Sequence, residues 1–346
     1  MSVVFAGLSG GVDSSVSAAL LQSQGHRVIG VFIKIWQPEF IECTWREDRL
    51  DAMRVCAALG IPYKEIDLSD EYKRLVVDEM VASYRTGKTP NPDVLCNRAI
   101  KFGSFFDWAK MNRADMVATG HYARAESGKL LRGHDESKDQ SYFLHRLSHE
   151  ELGSIIFPIG HMQKSDVRAI AAKMQLPVAQ KADSQGLCFV GDVSLPEFLS
   201  RYIELREGLL LDMKGERVGT HPGAALFTIG QRHGFIVANH SPTDPPLYVT
   251  KIDTARNEVT VSATKEAATA KGAHINDMHW ISGMPYEGVC AAQARYREKA
   301  VAVRVASRGD RTTVTFDEPH MLSPGQSLVL YDGEECLGGG AIDAIE

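Results

Sequence analysis

The sequence has 346 residues, so about two or three domains are expected from a typical length of about 150 residues each. Hydrophobic residues make up 44% and charged residues 24%, ordinary values for a globular protein, and no apolar stretch is long enough to span a membrane. The net charge of −6 argues mildly against a nucleic-acid partner, and sparse cysteines without a C-x-x-C pair exclude a disulfide scaffold.

The N-terminus carries an apolar run at 3–6, without a basic segment before it or a small-residue cleavage site after it. A signal peptide is therefore not predicted, and we expect a cytoplasmic protein with no membrane association. In a reducing compartment, a cysteine pair that oxidises is more often catalytic than structural.

The first strong pattern is the stretch Leu8-Ser9-Gly10-Gly11-Val12-Asp13-Ser14-Ser15, which lies between the apolar run and a helical pattern. A second strand at 27–35 completes a predicted βαβ unit. A glycine pair alone usually means an ordinary turn, but here serine hydroxyls and backbone N–H groups at a helix N-terminus favour phosphate or pyrophosphate. Asp13 either caps the helix or binds the metal that accompanies a nucleotide.

Two better-known phosphate loops are excluded, because the stretch has neither G-x-x-x-x-G-K-[ST] nor G-x-G-x-x-G. The sequence S-G-G-V-D-S-S resembles instead the PP-loop of the ATP pyrophosphatase superfamily. Members of that superfamily bind ATP and release pyrophosphate while they adenylate a substrate oxygen. The motif does not define the substrate.

The following segments alternate helix and strand. Residues 48–60 have the spacing of an amphipathic helix, whose predicted apolar face contains Leu50, Met53, Val55 and Leu59. A short strand at 63–68 and a helix at about 71–85 repeat the order. The alternation predicts a parallel, doubly wound sheet with helices on both faces, and ligands of such sheets bind at the carboxyl ends of the strands.

A cysteine near a predicted helix start follows in the stretch Thr89-Pro90-Asn91-Pro92-Asp93-Val94-Leu95-Cys96-Asn97, before a helical pattern at 98–111. The helix dipole and the adjacent Arg98 would lower the pKa of the Cys96 thiol and make it a nucleophile. A lone cysteine is more often a small buried hydrophobe, and the residues alone leave both interpretations open. Asp93 is either an N-cap or a general acid/base.

A fourth strand at 116–119 ends in Gly120-His121-Tyr122, at the expected ligand-binding edge of the sheet. His121 either faces a ligand or is a capped structural histidine. Residues 137–144, which include Lys138, Asp139 and Gln140, are predicted to form a solvated loop. Cys188 lies in an apolar setting and would, on its own, be interpreted as structural.

From about residue 197 short β-like runs replace the helical patterns, at 209–211, 225–229, 247–252, 259–261, 290–296, 300–306, 312–316 and 328–331. They predict a small mixed central module followed by a compact antiparallel barrel. The expected domains are 1–197, 198–268 and 269–346. Basic residues are concentrated at 290–311, which is either a face for RNA or a solvated strand.

Several motifs occur in one order along the chain: the S-G-G-V-D-S-S loop, Asn91-Pro92-Asp93 with Cys96, Gly120-His121-Tyr122, Cys188, Phe227-Thr228-Ile229-Gly230-Gln231-Arg232, Pro246-Leu247-Tyr248-Val249, Arg295-Tyr296, Pro324-Gly325-Gln326 and Cys336-Leu337-Gly338-Gly339-Gly340. Over essentially its full length the chain resembles the bacterial tRNA-specific 2-thiouridylases. The resemblance implies an α/β fold, with a doubly wound Rossmann-like PP-loop catalytic domain, a small central module and a C-terminal antiparallel β-barrel. The last two would grip the tRNA.

The resemblance also implies a reaction, in which AMP is transferred from ATP, with Mg²⁺, onto O2 of the wobble uridine of tRNA. Cys188 would carry a persulfide received from a sulfur-relay donor protein, and its terminal sulfur would attack C2. Cys96 would either free sulfide from the persulfide or form a disulfide with Cys188, and Asp93 would manage the proton. The flipped wobble base of a single-stranded loop can reach such a site at low cost.

The residues implied for each role follow from the matching motifs. The catalytic residues are Cys96, Cys188 and Asp93, and no metal-ligating residue is assigned. The residues implied for ATP are Gly7, Leu8, Ser9, Gly10, Gly11, Val12, Asp13, Ser14, Ile33 and Gly120. The residues implied for tRNA are Asn91, Pro92, Asp93, His121, Lys138, Asp139, Gln140, Arg295, Tyr296 and Gln326.

Departures from the family pattern are few: Gln185 replaces the common threonine, His233 the usual lysine, and Ile35 a frequent asparagine. Two other classes of function remain alternatives. Another PP-loop adenylating enzyme, such as an amide-forming synthetase, would need no cysteine pair. A non-catalytic RNA-binding protein would need the barrel and the basic strands but not the loop at 9–15.

Overall fold

The computed structural model describes residues 1–40, 45–183, 193–238, 241, 243–309 and 311–346. The strands are β1 (Val3–Leu8), β2 (Arg27–Lys34), β3 (Tyr63–Asp67), β4 (Met116–Ala118), β5 (Ala123–Glu126), β6 (Lys129–Arg132), β7 (Ile155–Ile156), β8 (Gly208–Leu211), β9 (Arg217–His221), β10 (Ile236–Val237), β11 (Tyr248–Asp253), β12 (Glu258–Ser262), β13 (Ala270–Ile275), β14 (His279–Trp280), β15 (Gly288–Gln293), β16 (Val301–Arg308), β17 (Arg311–His320), β18 (Ser327–Asp332), β19 (Glu335–Ala341) and β20 (Ala344–Ile345).

The α-helices are α1 (Val12–Ser23), α2 (Trp45–Leu59), α3 (Ser69–Tyr72), α4 (Asp78–Arg85), α5 (Pro92–Cys96), α6 (Phe105–Met111), α7 (His149–Leu152), α8 (Lys164–Lys173) and α9 (Leu195–Ser200). Two π-helical segments, Lys73–Val77 and Asn97–Ser104, join α3 to α4 and α5 to α6. Short 3₁₀ turns lie at Ser141–Leu144, Ala224–Leu226 and Lys265–Ala268. No helix of the described ranges is long and apolar enough to cross a bilayer.

A parallel sheet forms the centre of the first half of the chain, with strand order β3-β2-β1-β4-β7. Side chains alternate between its two faces, because successive residues of a strand point in opposite directions. Phe5 packs with the helices of residues 72–109, whereas Val4 and Ala6 pack with α1 and α2. The predicted doubly wound α/β layer is therefore confirmed.

The apolar face predicted for α2 is partly wrong. Leu50 is 45% and Met53 38% exposed, while Ala52, Val55 and Cys56 are buried. Small residues on the inner face let α2 approach β2 closely, since a Cβ on Gly30 would collide with the Cys56 sulfur. The helix therefore buries its small side chains and leaves two large ones in solvent.

The helical run at 92–111 starts earlier than the predicted one. Asn91 is its N-cap, because the Asn91 side chain accepts hydrogen bonds from the backbone N–H groups of Asp93 and Val94. Pro92 occupies the first helical position, where its missing N–H costs nothing. The alternative in which Asp93 caps the helix is therefore wrong.

The central module is a five-stranded sheet with order β10-β9-β8-β12-β11, in which only the β8–β12 pair is parallel. The strand predicted at 225–229 is wrong. A 3₁₀ turn lies at Ala224–Leu226, and Phe227 is buried in the core of the module. An apolar run of this length does not distinguish a strand from a buried turn.

The C-terminal sheet is antiparallel, with strand order β20-β13-β17-β16-β15-β18-β19-β6-β5, and β14 also pairs with β19. Two of its strands, β5 and β6, come from the first half of the chain, and they join the sheet through pairing of Leu130 with Cys336 and Leu131 with Glu335. The catalytic part and the C-terminal part thus share one sheet. The domain bounds at 197/198 and 268/269 stay a prediction.

Candidate functional site

The loop between β1 and α1 has the geometry of an anion cradle. Gly10 has φ +73°, and a Cβ at this position would collide with the backbone of Asp48 on α2. Gly11 has φ −99° and ψ 171°, and it begins α1 without a side-chain cap. Backbone N–H groups at the start of a helix of this length favour negative charge, so the turn suits a phosphate group.

Hydroxyl groups brace the loop from within. The Ser14 hydroxyl accepts a hydrogen bond from the Ser9 backbone N–H and lies 3.2 Å from the Ser9 hydroxyl. The Ser15 hydroxyl donates to the Gly11 carbonyl at 2.7 Å. Ser9 is exposed, whereas Ser14 and Ser15 are buried. The Ser9 hydroxyl is therefore the one best placed to meet a ligand from solvent.

Asp13 is held by groups from outside the loop. Its carboxylate accepts hydrogen bonds from the Lys164 ammonium at 2.6 and 2.8 Å and from the Tyr122 hydroxyl at 2.9 Å. Burial, followed by the charge of Asp13, raises the pKa of Tyr122, so the phenol stays a hydrogen-bond donor. Among the described residues there is no cluster of three or more His, Cys, Asp or Glu side chains that could hold a metal ion.

A second carboxylate, Asp183, joins the same charge cluster. It accepts from Lys138 at 2.9 Å and Arg168 at 2.6 Å, and it lies 2.9 Å from Lys164. Although partial burial opposes it, hydrogen bonding to Lys164 and Lys138 holds the pKa of Asp183 well below its ordinary value. Cys188 follows this cluster in sequence and lies outside the described residues.

Gly120 brings the fourth strand against the loop. A Cβ on Gly120 would lie 2.6 Å from the Ser14 backbone nitrogen and 2.8 Å from the Asp13 carbonyl carbon. Only glycine permits this approach, so β4 and the first turn of α1 are in contact through their backbones. The predicted role of Gly120 in ATP binding is consistent with its place beside the loop.

His121 is buried and occupies a defined tautomer. Lys101 Nζ lies 3.4 Å from His121 Nε2, and Thr119 Oγ1 lies 2.7 Å from His121 Nδ1. Because an ammonium group only donates, Nε2 accepts and Nδ1 carries the proton. Burial and then the Lys101 charge lower the pKa of His121 well below its ordinary value, so the ring is neutral.

Asp93 and Cys96 lie on the same side of α5, because residues three apart share a helix face. Burial raises the pKa of Asp93, and the Lys101 charge partly offsets that rise. Cys96 is 8% exposed and packs in the core cluster that contains Phe5 and Ile100. A π-helical segment begins directly after it, a feature frequent at functional sites.

Arg98 was expected to lower the pKa of the Cys96 thiol, but in the structure its side chain is bonded to a carboxylate. The Arg98 guanidinium donates to the Glu151 carboxylate at 2.5 Å. Lys101, rather than Arg98, is the cation that acts on Asp93 and His121. The sequence analysis did not identify Lys101, because its position in the predicted helix does not indicate that its charge acts on Asp93 and His121.

Other residues implied for ATP contribute mainly their backbones. Leu8 and Val12 have buried side chains that pack in two different core clusters, and Ile33 is half-buried near the carboxyl end of β2. Gly7 has ordinary space around it, because a Cβ at this position would have Phe105 Cε1 as its nearest neighbour, at 3.5 Å. Direct ATP contacts of these residues stay a prediction.

The stretch 138–140 is not the solvated loop that was predicted. The Asp139 carboxylate accepts from Arg132, the Ser141 hydroxyl and the backbone N–H of Gly133. The Gln140 side chain accepts from the Tyr122 backbone N–H at 3.0 Å. The side chains of Asp139 and Gln140 therefore hold in place the start of the buried 3₁₀ turn that follows them. Contacts of residues 138–140 with tRNA stay a prediction.

The predicted tRNA residues of the C-terminal part, Arg295, Tyr296 and Gln326, lie in connections next to strands, at contacts between parts of the chain. Arg295 donates to the Ile229 carbonyl of the central module at 3.2 Å. The Tyr296 ring centroid is 4.3 Å from that of Phe143, and the Arg297 guanidinium lies 5.2 Å from the Tyr296 ring. Gln326 Nε2 donates to the Thr89 carbonyl at 3.0 Å.

The parallel sheet with its serine- and glycine-rich loop defines a nucleotide-binding enzyme of the PP-loop class that carries two β-rich modules. Family models described as a tRNA methyl transferase HUP domain, a tRNA methyl transferase PRC-barrel domain and an aminomethyltransferase beta-barrel domain match residues 2–192, 196–263 and 270–342. The chain belongs to the tRNA-specific 2-thiouridylase family, whose members are sulfurtransferases. The family and the fold class inferred from the motifs are thereby confirmed.

Two relatives support the assignment over nearly the full length. The tRNA-specific 2-thiouridylases MnmA of Streptococcus pyogenes serotype M49 (strain NZ131) and serotype M1 are each 45% identical to this chain, over 98% of it and 95% of the relative. A solved structure, the U34-tRNA thiolase NcsA from Methanococcus maripaludis, is 22% identical with a TM-score of 0.37, over 54% of this chain and 61% of that one.

Proposed function

We propose that the protein replaces O2 of the wobble uridine of tRNA with sulfur in an ATP-dependent reaction. The chain is 45% identical to a named 2-thiouridylase over 98% of its length. The observation that carries the proposal is that, in such a chain, contacts connect the nucleotide loop with the helix of Asp93 and Cys96. Gly120 contacts the loop at Ser14, and its neighbour His121 is bonded to Lys101, the cation that acts on Asp93. Adenylation and sulfur transfer would thus take place at neighbouring, connected sites.

The loop fits the triphosphate of ATP. Gly11 starts α1 without a side-chain cap, so backbone N–H groups of the first turn are available to phosphate oxygens. A Cβ on Gly11 would have only the Ser9 hydroxyl, at 3.3 Å, as a close neighbour, so the space above the turn is open. Amide donors fixed there would stabilise the charge that develops on the departing pyrophosphate.

Mg²⁺ would accompany the nucleotide rather than occupy a protein cage. Both carboxylate oxygens of Asp13 are bonded to Lys164, and magnesium commonly binds substrate phosphates with few protein ligands. The ion supplies positive charge to the phosphates when it is bound. Lys164 and Tyr122 keep Asp13 oriented beside the first turn.

The uracil oxygen must be activated because it is a poor leaving group. Transfer of AMP onto O2 releases pyrophosphate, and the later attack of sulfur on C2 expels AMP. Asp93 is suited to hold or return a proton because burial raises the pKa of its carboxyl above the ordinary value. Neutral His121, which donates only from Nδ1, orients the adjacent Lys101.

Sulfur would arrive as a persulfide on Cys188. In one route its terminal sulfur attacks C2, and the Cys96 thiolate then attacks the Cys188 sulfur, so that a Cys96–Cys188 disulfide forms as the persulfide bond breaks. In the other route Cys96 attacks first and frees sulfide, which attacks C2. Both routes oxidise two thiols to a disulfide, which a cellular thiol reductant must reverse before the next turnover.

The proposed partners follow from this chemistry. They are tRNA, whose wobble base lies in the anticodon loop, and a protein that donates persulfide sulfur. We place the reaction in the cytoplasm, where reduced thiols persist. The exposed basic side chains of Arg297 and Arg304 are candidates for phosphate contacts.

Nucleoside mass spectrometry tests the proposal against its alternatives. Purified protein, unmodified tRNA transcript, ATP with Mg²⁺ and a persulfide donor should yield 2-thiouridine at the wobble position and pyrophosphate. An amide-forming synthetase would release pyrophosphate without thiolated tRNA, and an RNA-binding protein would release none. A methylated nucleoside in place of a thiolated one would also contradict the proposal.

A further inference from the structure

Thr89 is a point where three parts of the chain meet. Its backbone N–H donates to the Pro324 carbonyl at 2.9 Å, and its carbonyl accepts from Gln326 Nε2 at 3.0 Å. Its hydroxyl lies 2.9 Å from the Thr228 hydroxyl of the central module. Thr89 is 8% exposed, so all three polar groups are satisfied by the protein instead of by solvent.

The C-terminal side of this contact is built for close approach. Gly325 has φ +89°, and a Cβ there would lie 2.7 Å from the Thr89 nitrogen. The backbone of Gln326 is itself fixed, because its N–H donates to Ser323 and its carbonyl accepts from Ile342. The turn that holds Thr89 therefore has little freedom to shift.

The central-module side is fixed as well. The Thr228 backbone N–H donates to the Gln231 side chain at 3.1 Å, and the Gln231 amide donates to the His233 carbonyl at 2.8 Å. Arg295 ties the next residue, Ile229, to the C-terminal sheet. The hydroxyl that meets Thr89 thus belongs to a rigid turn linked to both β-rich parts.

The connection from Thr89 to the candidate catalytic residues is short and stiff. Pro90 and Pro92 each restrict φ to about −65°, which removes backbone freedom on both sides of Asn91. The Asn91 side chain then caps the helix that carries Asp93 and Cys96. A displacement at Thr89 would therefore be passed to the start of this helix instead of being absorbed by a flexible loop.

We infer that Thr89 is a positioning residue, through which the central module and the C-terminal sheet hold the helix of Asp93 and Cys96 in register with the nucleotide loop. The inference rests on the proposed thiolation, because it assigns the helix to that reaction. Thr89 itself touches neither substrate in this account. Its hydroxyl bond with Thr228 is the contact that ties the helix start to the central module.

Thr89→Val tests the inference, since valine keeps the backbone hydrogen bonds and the approximate volume but removes the hydroxyl. We expect kcat for thiolation to fall roughly 10- to 100-fold, the range for a small misplacement of reacting groups. The KM for ATP and the Kd for tRNA should stay close to wild type, and the Tm should fall by no more than a few degrees, the cost of one lost buried hydrogen bond. Thr89→Ser, which retains the hydroxyl, should restore most of the rate.

Thr228→Val removes the same hydroxyl–hydroxyl hydrogen bond from the central module, so it tests the inference even if Thr89→Val does not fold. It should lower kcat by a similar factor, and the double variant should be no slower than the worse single variant, because both changes delete one interaction. Thr86→Val is the matched control. Its exposed hydroxyl donates only to Ser83 of its own helical turn, so kcat should not change.

Wild-type kcat in both single valine variants would overturn the inference. So would additive losses in the double variant, or losses that follow falls in Tm and tRNA affinity and are not rescued by Thr89→Ser. Failure of the wild-type protein to thiolate tRNA would instead contradict the proposed function. The two failures are therefore distinguishable.

Discussion

Lys164 and Asp13 form the contact that fixes the nucleotide loop from outside, with the Lys164 ammonium 2.6 and 2.8 Å from the two carboxylate oxygens. Lys164 starts α8, and its ammonium also lies 2.9 Å from Asp183. One cation thus joins the loop to the end of the described segment that precedes Cys188. The pair is partly buried, so solvent screens it less than a surface ion pair.

Lys164→Met should lower the free energy of unfolding by roughly 1–3 kcal/mol at neutral pH, the range for losing a hydrogen-bonded charge partner. Asp183 has a lowered folded-state pKa, so its stabilising contribution is present above the unfolded-state value and is lost as the pH falls. The difference between variant and wild type should therefore shrink below about pH 4. Urea unfolding across a pH series measures it, and a difference independent of pH would contradict this prediction.

Gly11→Val should abolish ATP binding while the protein stays folded. Gly11 has φ −99° and ψ 171°, an extended conformation that valine adopts readily, but the branched side chain would fill the open space above the turn. Titration calorimetry and a thermal melt measure the two effects. Normal ATP affinity in folded Gly11→Val would remove this loop from the nucleotide site.

Gly10→Ala is the matched comparison, because Gly10 has φ +73° and its Cβ would meet the backbone of Asp48. This variant should lose thermal stability as well as ATP binding. A Gly10→Ala protein as stable as wild type would show that the loop is less constrained than its geometry indicates.

Two exposed arginines of the C-terminal part of the chain, Arg297 and Arg304, should govern the salt dependence of tRNA binding. Neutralising Arg297 and Arg304 to glutamine should lower affinity and reduce the slope of log K against log salt by roughly one unit per lost phosphate contact. Arg27→Gln is the control, since Arg27 lies at the amino end of β2, away from the ligand-binding edge. An unchanged slope would show that the two side chains are solvated rather than bound to phosphate.

Arg295 should behave differently from these two residues. Because it donates to the Ile229 carbonyl, its replacement by glutamine should lower thermal stability in addition to any effect on tRNA. Equal melting temperatures of Arg295→Gln and wild type would contradict the structural part of this role.

Lys101→Met should move the pH dependence of thiolation. Burial raises the pKa of Asp93 and Lys101 opposes that rise, so removal of the cation should raise the pKa further. One limb of the pH–rate profile depends on Asp93 and should be absent in Asp93→Asn. In Lys101→Met this limb should shift to higher pH. Single-turnover rates across pH measure the limb, and Lys110→Met, at an exposed lysine farther along the same helical run, should leave it in place.

Local sequence patterns predicted the elements whose signals are local. Periodicity and glycine placement indicated β1, α1 and β2, and the loop between them lies where the pattern placed it. Long-range contacts had no such signal. Lys164 and Asp13 are 151 residues apart and Gln326 and Thr89 are 237 apart, and either pairing depends on how the whole chain folds.

Errors arose where hydrophobicity alone did not decide which side chains are buried. Leu50 and Met53 satisfied the period of an amphipathic helix, yet α2 turns Ala52 and Cys56 inward because Gly30 allows close contact there. Asp139 was expected to be solvated because it is charged, but its two carboxylate oxygens accept hydrogen bonds from the Arg132 guanidinium and the Gly133 backbone N–H. A hydrophobic pattern indicates neither that small side chains allow close packing nor that a charged side chain has hydrogen-bond partners within the protein.

The central claim is that Cys188 carries the sulfur as a persulfide and that Cys96 attacks it to complete the transfer, and thiolated-uridine yield with a persulfide donor as the only sulfur source tests it most directly. Cys188→Ser should abolish the product because no persulfide can be carried, and Cys96→Ser should block turnover because a hydroxyl is a far weaker nucleophile than a thiolate. Pyrophosphate release should survive in both, and Cys56→Ser, at a buried cysteine behind β2, is the control. Full thiolation by the Cys96→Ser, Cys188→Ser double variant would contradict the account.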